Sequence, residues 1–168
     1  MPRLGGTNIV AVLAAGAAIW IVGALFFGVV FTDIWEREFI VGHGLATSDA
    51  VGDLDEEAIM ALLAGVPGQI PMGAALGAGF LVALIQAAGI ATVLAWTRPT
   101  GLGAAIRPVI AVWAAFSATM LAYNVIYYAE SRITFGIDIA HTLVAFMVGT
   151  VVIYLIDGKA LRPASAPT

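Results

Sequence analysis

The sequence predicts an all-α integral membrane protein, an antiparallel four-helix bundle with a short extracytoplasmic helix in its first loop. Three observations carry that expectation. Of the 168 residues 61% are hydrophobic, only 11% are charged, and the apolar residues gather in four long runs. A soluble domain carries about a quarter charged residues, so a water-soluble globule is excluded. With 7 basic against 11 acidic residues the net charge is −4, which leaves no basic surface for nucleic acid. There is no cysteine, and with it go disulfides, thiolate metal sites and a cysteine nucleophile.

A lipid-spanning helix needs roughly 20 mostly apolar residues, because the hydrocarbon layer is about 30 Å thick and each residue rises about 1.5 Å. Four stretches meet this requirement, at about 9–31, 72–96, 109–129 and 133–156. They define a membrane domain over 9–156, between a cytoplasmic segment 1–8 and a disordered cytoplasmic tail 157–168. Helices are preferred to barrel strands because the runs are continuous and lipid satisfies no backbone group. Arg3 and the Ala-rich stretch near residue 16 give the first span some likeness to a secretion signal. Its apolar run of roughly 23 residues is too long for one, so it reads as an uncleaved span.

Orientation follows from Lys and Arg. With both termini in the cytoplasm, Arg3, Arg98, Arg107, Lys159 and Arg162 lie inside, and only Arg37 and Arg132 lie outside. Aromatic rings favour the headgroup level. Trp96, Trp113 and Tyr154 then mark the inner boundary, and Trp35, Tyr123, Tyr127 and Tyr128 the outer one. Trp20 falls mid-span and reads as a side chain packed between helices. Both ends of the chain are therefore expected on the cytoplasmic side of the membrane.

The one long connection is the outer loop 32–71. Thr32 to Glu38 extends the first helix into the interface. After a loop from His43 to Ser48, Asp53 reads as the N-cap of a helix running to about Ala64. Leu54, Ala58, Ile59, Leu62 and Leu63 share one face of that helix, and Gly65 with Pro67 ends it. It is expected across the outer mouth of the bundle. Its acidic polar face does not suit anionic lipid.

An ionisable side chain below the headgroups is costly unless paired or wetted, and so is a functional candidate. Asp138 and His141 meet that description, three positions apart and on one helix face. The short turn between spans three and four implies a tight hairpin. Counting from it puts Asn124 at the depth of Asp138, with Tyr127, Tyr128, Glu130 and Arg132 at the rim. Thr142, Ala145 and Gly149 continue the Asp138 face, and Ser117, Leu121, Asn124 and Tyr128 form a facing stripe. Two uses stay open: a hydrogen-bonded group that fixes helix register, or a pocket that binds a ligand or moves a proton. Metal binding has only a single D-x-x-H pair behind it.

Gln86, with Gly79, Ala83 and Gly89, lies on a small-residue face suited to an interhelical bond, and Gly16, Trp20, Gly23 and Phe27 form a packing stripe on the first span. No nucleophile elbow, P-loop, H-E-x-x-H or dinucleotide fingerprint is present. No catalytic residue, metal ligand or cofactor is assigned, and enzymatic function is not favoured. Besides the bilayer, the sequence leaves open a membrane-protein partner or a second copy of the chain.

Three segments resemble a family of small bacterial membrane proteins, domain of unknown function 1761. Gly23-Ala24-Leu25-Phe26-Phe27-Gly28, with Phe31 and Trp35, is similar to the end of that family's first helix. Asn124 and Glu130-Ser131-Arg132 are similar to the end of its third helix and the turn. Ile137-Asp138-Ile139-Ala140-His141-Thr142-Leu143-Val144 is similar to its fourth. Phe27 stands where a Tyr is usual, and the acidic outer loop is longer. The resemblance implies four spans and no established activity. The functional expectation is therefore a ligand- or partner-binding membrane protein, with an accessory subunit of a larger complex and a small transporter or proton-linked protein as alternatives.

Overall fold

The computed structural model describes residues 3–4, 6–66, 71–128 and 131–161. It is 86% helical. Four stretches of 22 to 27 residues are long and apolar enough to cross a membrane: Ile9–Val30, Gly73–Thr97, Leu102–Tyr127 and Arg132–Gly158. The chain thus has the expected all-α class and its four membrane-length helices.

A two-residue antiparallel ladder, β1 (Arg3–Leu4) with β2 (Thr7–Asn8), precedes α1 (Ile9–Leu25). Asn8 caps α1, its side chain accepting from the Val10 amide at 3.0 Å. The Asn8 amide itself donates to Asp157 Oδ2 at 2.8 Å, while Arg3 Nη2 lies 3.5 Å from Oδ1. Asp157 is only 6% exposed. Its helix, α8 (Arg132–Leu161), continues past the expected boundary at 156. The carboxylate that reads as the start of a polar tail is instead the anchor of the N-terminal turn. Residues 162–168 of the expected disordered tail lie outside the described residues.

Helix α1 packs on both α5 (Met72–Thr97) and α8. Gly16 meets Leu84 while Trp20, one turn on, donates its indole N–H to the Leu76 carbonyl at 3.2 Å. On the other side Ile19 meets Gly149 and Gly23 meets His141. In both series the partner number falls as α1 advances, so α1 runs opposite in direction to each neighbour. The shared core combines small residues (Ala15, Ala87, Ala145) with Ile19, Ile90 and Ile153. Small side chains at these positions let the backbones approach closely, the kind of packing that serves helices in lipid.

The third helical stretch begins at Leu102 rather than 109. It comprises α6 (Leu102–Val112), a π segment (Trp113–Ala118) and α7 (Thr119–Tyr128). Arg107 and Pro108 interrupt the apolar run, yet both lie inside α6. Arg is a good helix former, and membrane helices tolerate Pro where neighbours relieve the lost backbone bond.

The first π segment in chain order, Phe26–Val30, extends α1 and leads through Phe31 into α2 (Thr32–Gly42). The Phe31 amide bonds the Phe26 carbonyl five residues back at 2.8 Å. The extra residue in a π turn puts carbonyls out of the ordinary ladder, and each must find another donor. Both segments use the same device. Thr32 Oγ1 donates to the Phe27 carbonyl at 2.9 Å, and Thr119 Oγ1 to the Ala114 carbonyl at 3.1 Å, each five residues back.

The connection between the first two spans folds as a cap of three helices, α2, α3 (Ser48–Gly52) and α4 (Glu56–Ala64). Ile40, Val51, Ile59 and Leu63 form its own core, with Leu54 and Leu62 against it, so the expected apolar face of α4 is turned inward. Arg37 ties the cap together by donating to the Val51 carbonyl and, at 3.2 Å, to the Leu54 carbonyl. Burial first, then the Asp33 and Glu56 carboxylates, raise the Glu36 pKa above its ordinary value. Helix α4 packs on α2, and it is α2 that touches α8. The loop helix α4 is thus joined to the bundle through α2.

The N-cap of α4 is Asp55, which accepts from the Ala58 amide at 2.8 Å, and not Asp53. Asp53 sits at the C-terminal end of α3, which the sequence does not announce. There the backbone is still leaving a helical turn, whereas Asp55 has the extended conformation an N-cap requires. Asp55→Ala is therefore expected to destabilise the cap by about 1 kcal/mol, and Asp53→Ala by much less. Hydrogen exchange of the α4 amides checks this, and the reverse ranking would reinstate Asp53.

Candidate functional site

Helix α8 brings His141 half-buried against the end of the first span. A Cβ at Gly23 would lie 3.3 Å from His141 Nε2, so any side chain there would crowd the imidazole. The first π segment adds two rings. Phe27 meets the imidazole edge-on at 4.8 Å between centroids, and Phe26 is tilted at 5.5 Å. From Phe27 the ring contacts continue outward through Trp35 at 5.9 Å, Phe39 at 5.1 Å and His43 at 3.9 Å. One continuous series of rings thus joins the two histidines of the chain.

The second π segment meets the same turn of α8. Trp113 Nε1 donates to Thr142 Oγ1 at 3.0 Å, and that hydroxyl donates to the Asp138 carbonyl at 2.8 Å. Asp138 is half-buried one turn before Thr142. The segment 138–142 is therefore contacted by both stretches in which a spanning helix leaves regular α geometry. Such π segments recur at functional sites in helical proteins.

The remaining candidates are placed differently. Asn124 is half-buried on α7, Tyr127 is 67% exposed and stacked on Tyr123 at 4.9 Å, and Arg132 is exposed at the start of α8. Gln86 is half-buried on α5, with Ala83 buried near it, Gly79 beside the Trp20 indole and Gly89 facing open space. Among the described residues no side-chain hydrogen bond joins Asn124, Tyr127, Arg132 or Gln86 to another residue. Glu130 and the side chain of Tyr128 lie outside the described residues. The structure thus brings His141 together with Gly23, Phe26 and Phe27 of the first span.

Two parts of this environment escape the sequence reading. Gly23 and Phe27 stand on a visible stripe, but nothing in its spacing says that it meets a histidine. Trp113 reads as an inner-boundary ring only because Arg107 and Pro108 shift the apparent start of its helix; from Leu102 it falls well inside. Among the described residues no three His, Asp or Glu side chains gather as a metal site.

Fold and site together define a helical protein with four membrane-length helices and a polar, aromatic-lined turn on the fourth. The family model described as "Protein of unknown function (DUF1761)" matches residues 10–154, and the chain belongs to that family. No curated protein and no solved structure matches it.

Proposed function

We propose that the chain is a multi-pass protein of a bacterial inner membrane, with both termini cytoplasmic, that binds a small ligand at His141 and Asp138 in the outer half of its bundle. The observation that carries this reading is the meeting of two of the three family-like segments. Gly23, Phe26 and Phe27 of one segment lie against His141 of another. An imidazole in an apolar span is costly to keep, and packing alone is served more cheaply by an apolar side chain. The five Lys and Arg residues on the terminal side support the orientation.

The test is purification in mild detergent, with mass spectrometry of co-eluting small molecules. Asp138→Asn and His141→Ala are expected to lose the bound molecule while melting within a few degrees of the parent. Loss of thermal stability with the molecule retained would mark the pair as structural. A second reading, an accessory subunit, is favoured by the third span. Only 6% of its apolar window is buried, against 22–28% in the others, so it has the most surface left for a partner helix. Co-purification of a second membrane protein, lost on substitution of Phe116 and Met120, would support it.

A further inference from the structure

We infer that the outer cap is a lid, hinged on the π segment Phe26–Val30 with Thr32 as the lock of the hinge, and held closed over α8 by the contact of Phe27 with His141. The inference deepens the reading of His141 as a site by assigning a device that controls access to it, but it needs no particular ligand.

Four observations converge on it. The cap is a unit, since α2, α3 and α4 enclose their own core of Ile40, Val51, Ile59 and Leu63, and Arg37 staples α2 to the loop around α3. The break between this unit and α1 is confined to one place. The helix is α to Leu25, π from Phe26 to Val30, and Phe31 leaves helical geometry at φ −120° and ψ 16° before α2 begins. The residues of that hinge are also the latch: Phe26 and Phe27 lie on His141, and Phe27 is held from the lid side by Trp35. The contact of α2 with α8 is the position that the inference assigns as closed.

The hinge has two registers available to it. Closing the π turn into an α turn removes one residue from the ladder, which rotates the downstream chain by about 100° and moves it about 1.5 Å along the axis. That rotation carries Phe27 off the imidazole and swings the lid. Thr32 opposes it, because its hydroxyl satisfies the Phe27 carbonyl in the π register at 2.9 Å. The matching segment Trp113–Ala118 has its own threonine, Thr119, but α7 continues from it without a break and carries no separate domain. It serves as the fixed wall, with Trp113 bonded to Thr142.

The absence of cysteine makes spin-label pairs simple to place. One pair, Glu57→Cys with Ile126→Cys, spans from the lid to the exposed outer end of the third helix. A second, Gly42→Cys with Glu57→Cys, lies wholly within the lid. Distances are read by double electron–electron resonance on the full chain in nanodiscs. The parent is expected to give one narrow lid-to-bundle distance. Phe27→Ala and Thr32→Val are each expected to broaden it or shift its mean by several ångströms, while Thr32→Ser, which keeps the hydroxyl, retains the parental distribution. The intra-lid distance is expected to stay fixed throughout.

Superimposable lid-to-bundle distributions in the parent, Phe27→Ala and Thr32→Val would overturn the inference. So would broadening of the intra-lid pair, because the cap would then be unfolding rather than moving. Equal effects of Thr32→Ser and Thr32→Val would remove the lock. None of these outcomes depends on a bound molecule, so the lid and the ligand reading fail separately.

Discussion

Gly16→Val is expected to destabilise the protein by about 3 kcal/mol or more, the cost of overpacking a tight contact. A Cβ at position 16 would stand 2.5 Å from Leu84 Cδ2 and 3.2 Å from Leu84 Cα. The methyl can swing away, but the Cα belongs to the backbone of α5, so α1 and α5 must separate. Gly16→Ala brings the same Cβ clash, and its gain of about 1 kcal/mol in helix propensity offsets only part of the strain. Valine adds further bulk with a smaller offset. Thermal unfolding in detergent should therefore rank the parent first, Gly16→Ala below it and Gly16→Val lowest. Adding Leu84→Ala to Gly16→Val should recover part of the loss as a coupling between neighbours. A valine variant that melts with the parent would mean that the helices do not meet at this point.

Asp157→Ala is the second large effect, expected at about 3 kcal/mol. The carboxylate accepts from the Asn8 amide at 2.8 Å and is 6% exposed. Its removal forfeits a charged hydrogen bond of about 1.5–3 kcal/mol and leaves a buried N–H without an acceptor. The Arg3 contact adds little, since that side chain is 46% exposed and exposed ion pairs contribute about 0–1 kcal/mol. Asp157→Asn keeps an acceptor oxygen for the Asn8 amide and should lose much less. In a chain of this size 3 kcal/mol lowers the melting temperature by roughly 6–12 °C. Alanine and asparagine variants that melt alike would show that the amide bond at Asn8 is not what the carboxylate contributes.

The helices are legible because bilayer thickness imposes one length scale on the sequence, and four apolar runs match it. Trp20 between helices, and the Ala145 and Gly149 stripe against α1, are legible for a related reason: small residues at helical spacing mark where backbones approach. The cap of α4 is ambiguous in the sequence because two aspartates two positions apart both precede the helix, and only the preceding α3 decides between them. Asp157 is hidden because its partners lie at the opposite end of the chain. The contact of His141 with the first span is not legible in the sequence, for a geometric reason. Counting depth from the turn assumes an unbroken α register and considers only the adjacent helix. The π segment at Trp113 breaks that register, and Gly23 leaves room on the first span for the imidazole.

The threonine-closed segments also make chain length a tuned quantity. Each is equivalent to a single inserted codon, tolerated because a hydroxyl five positions later serves the displaced carbonyl. Shortening either stretch by one amino acid would leave the spanning length almost unchanged while turning everything beyond it to a different compass bearing. Relatives with and without such an insertion would therefore present different side chains to the same turn of the last helix, a route to new specificity that requires no substitution within that turn.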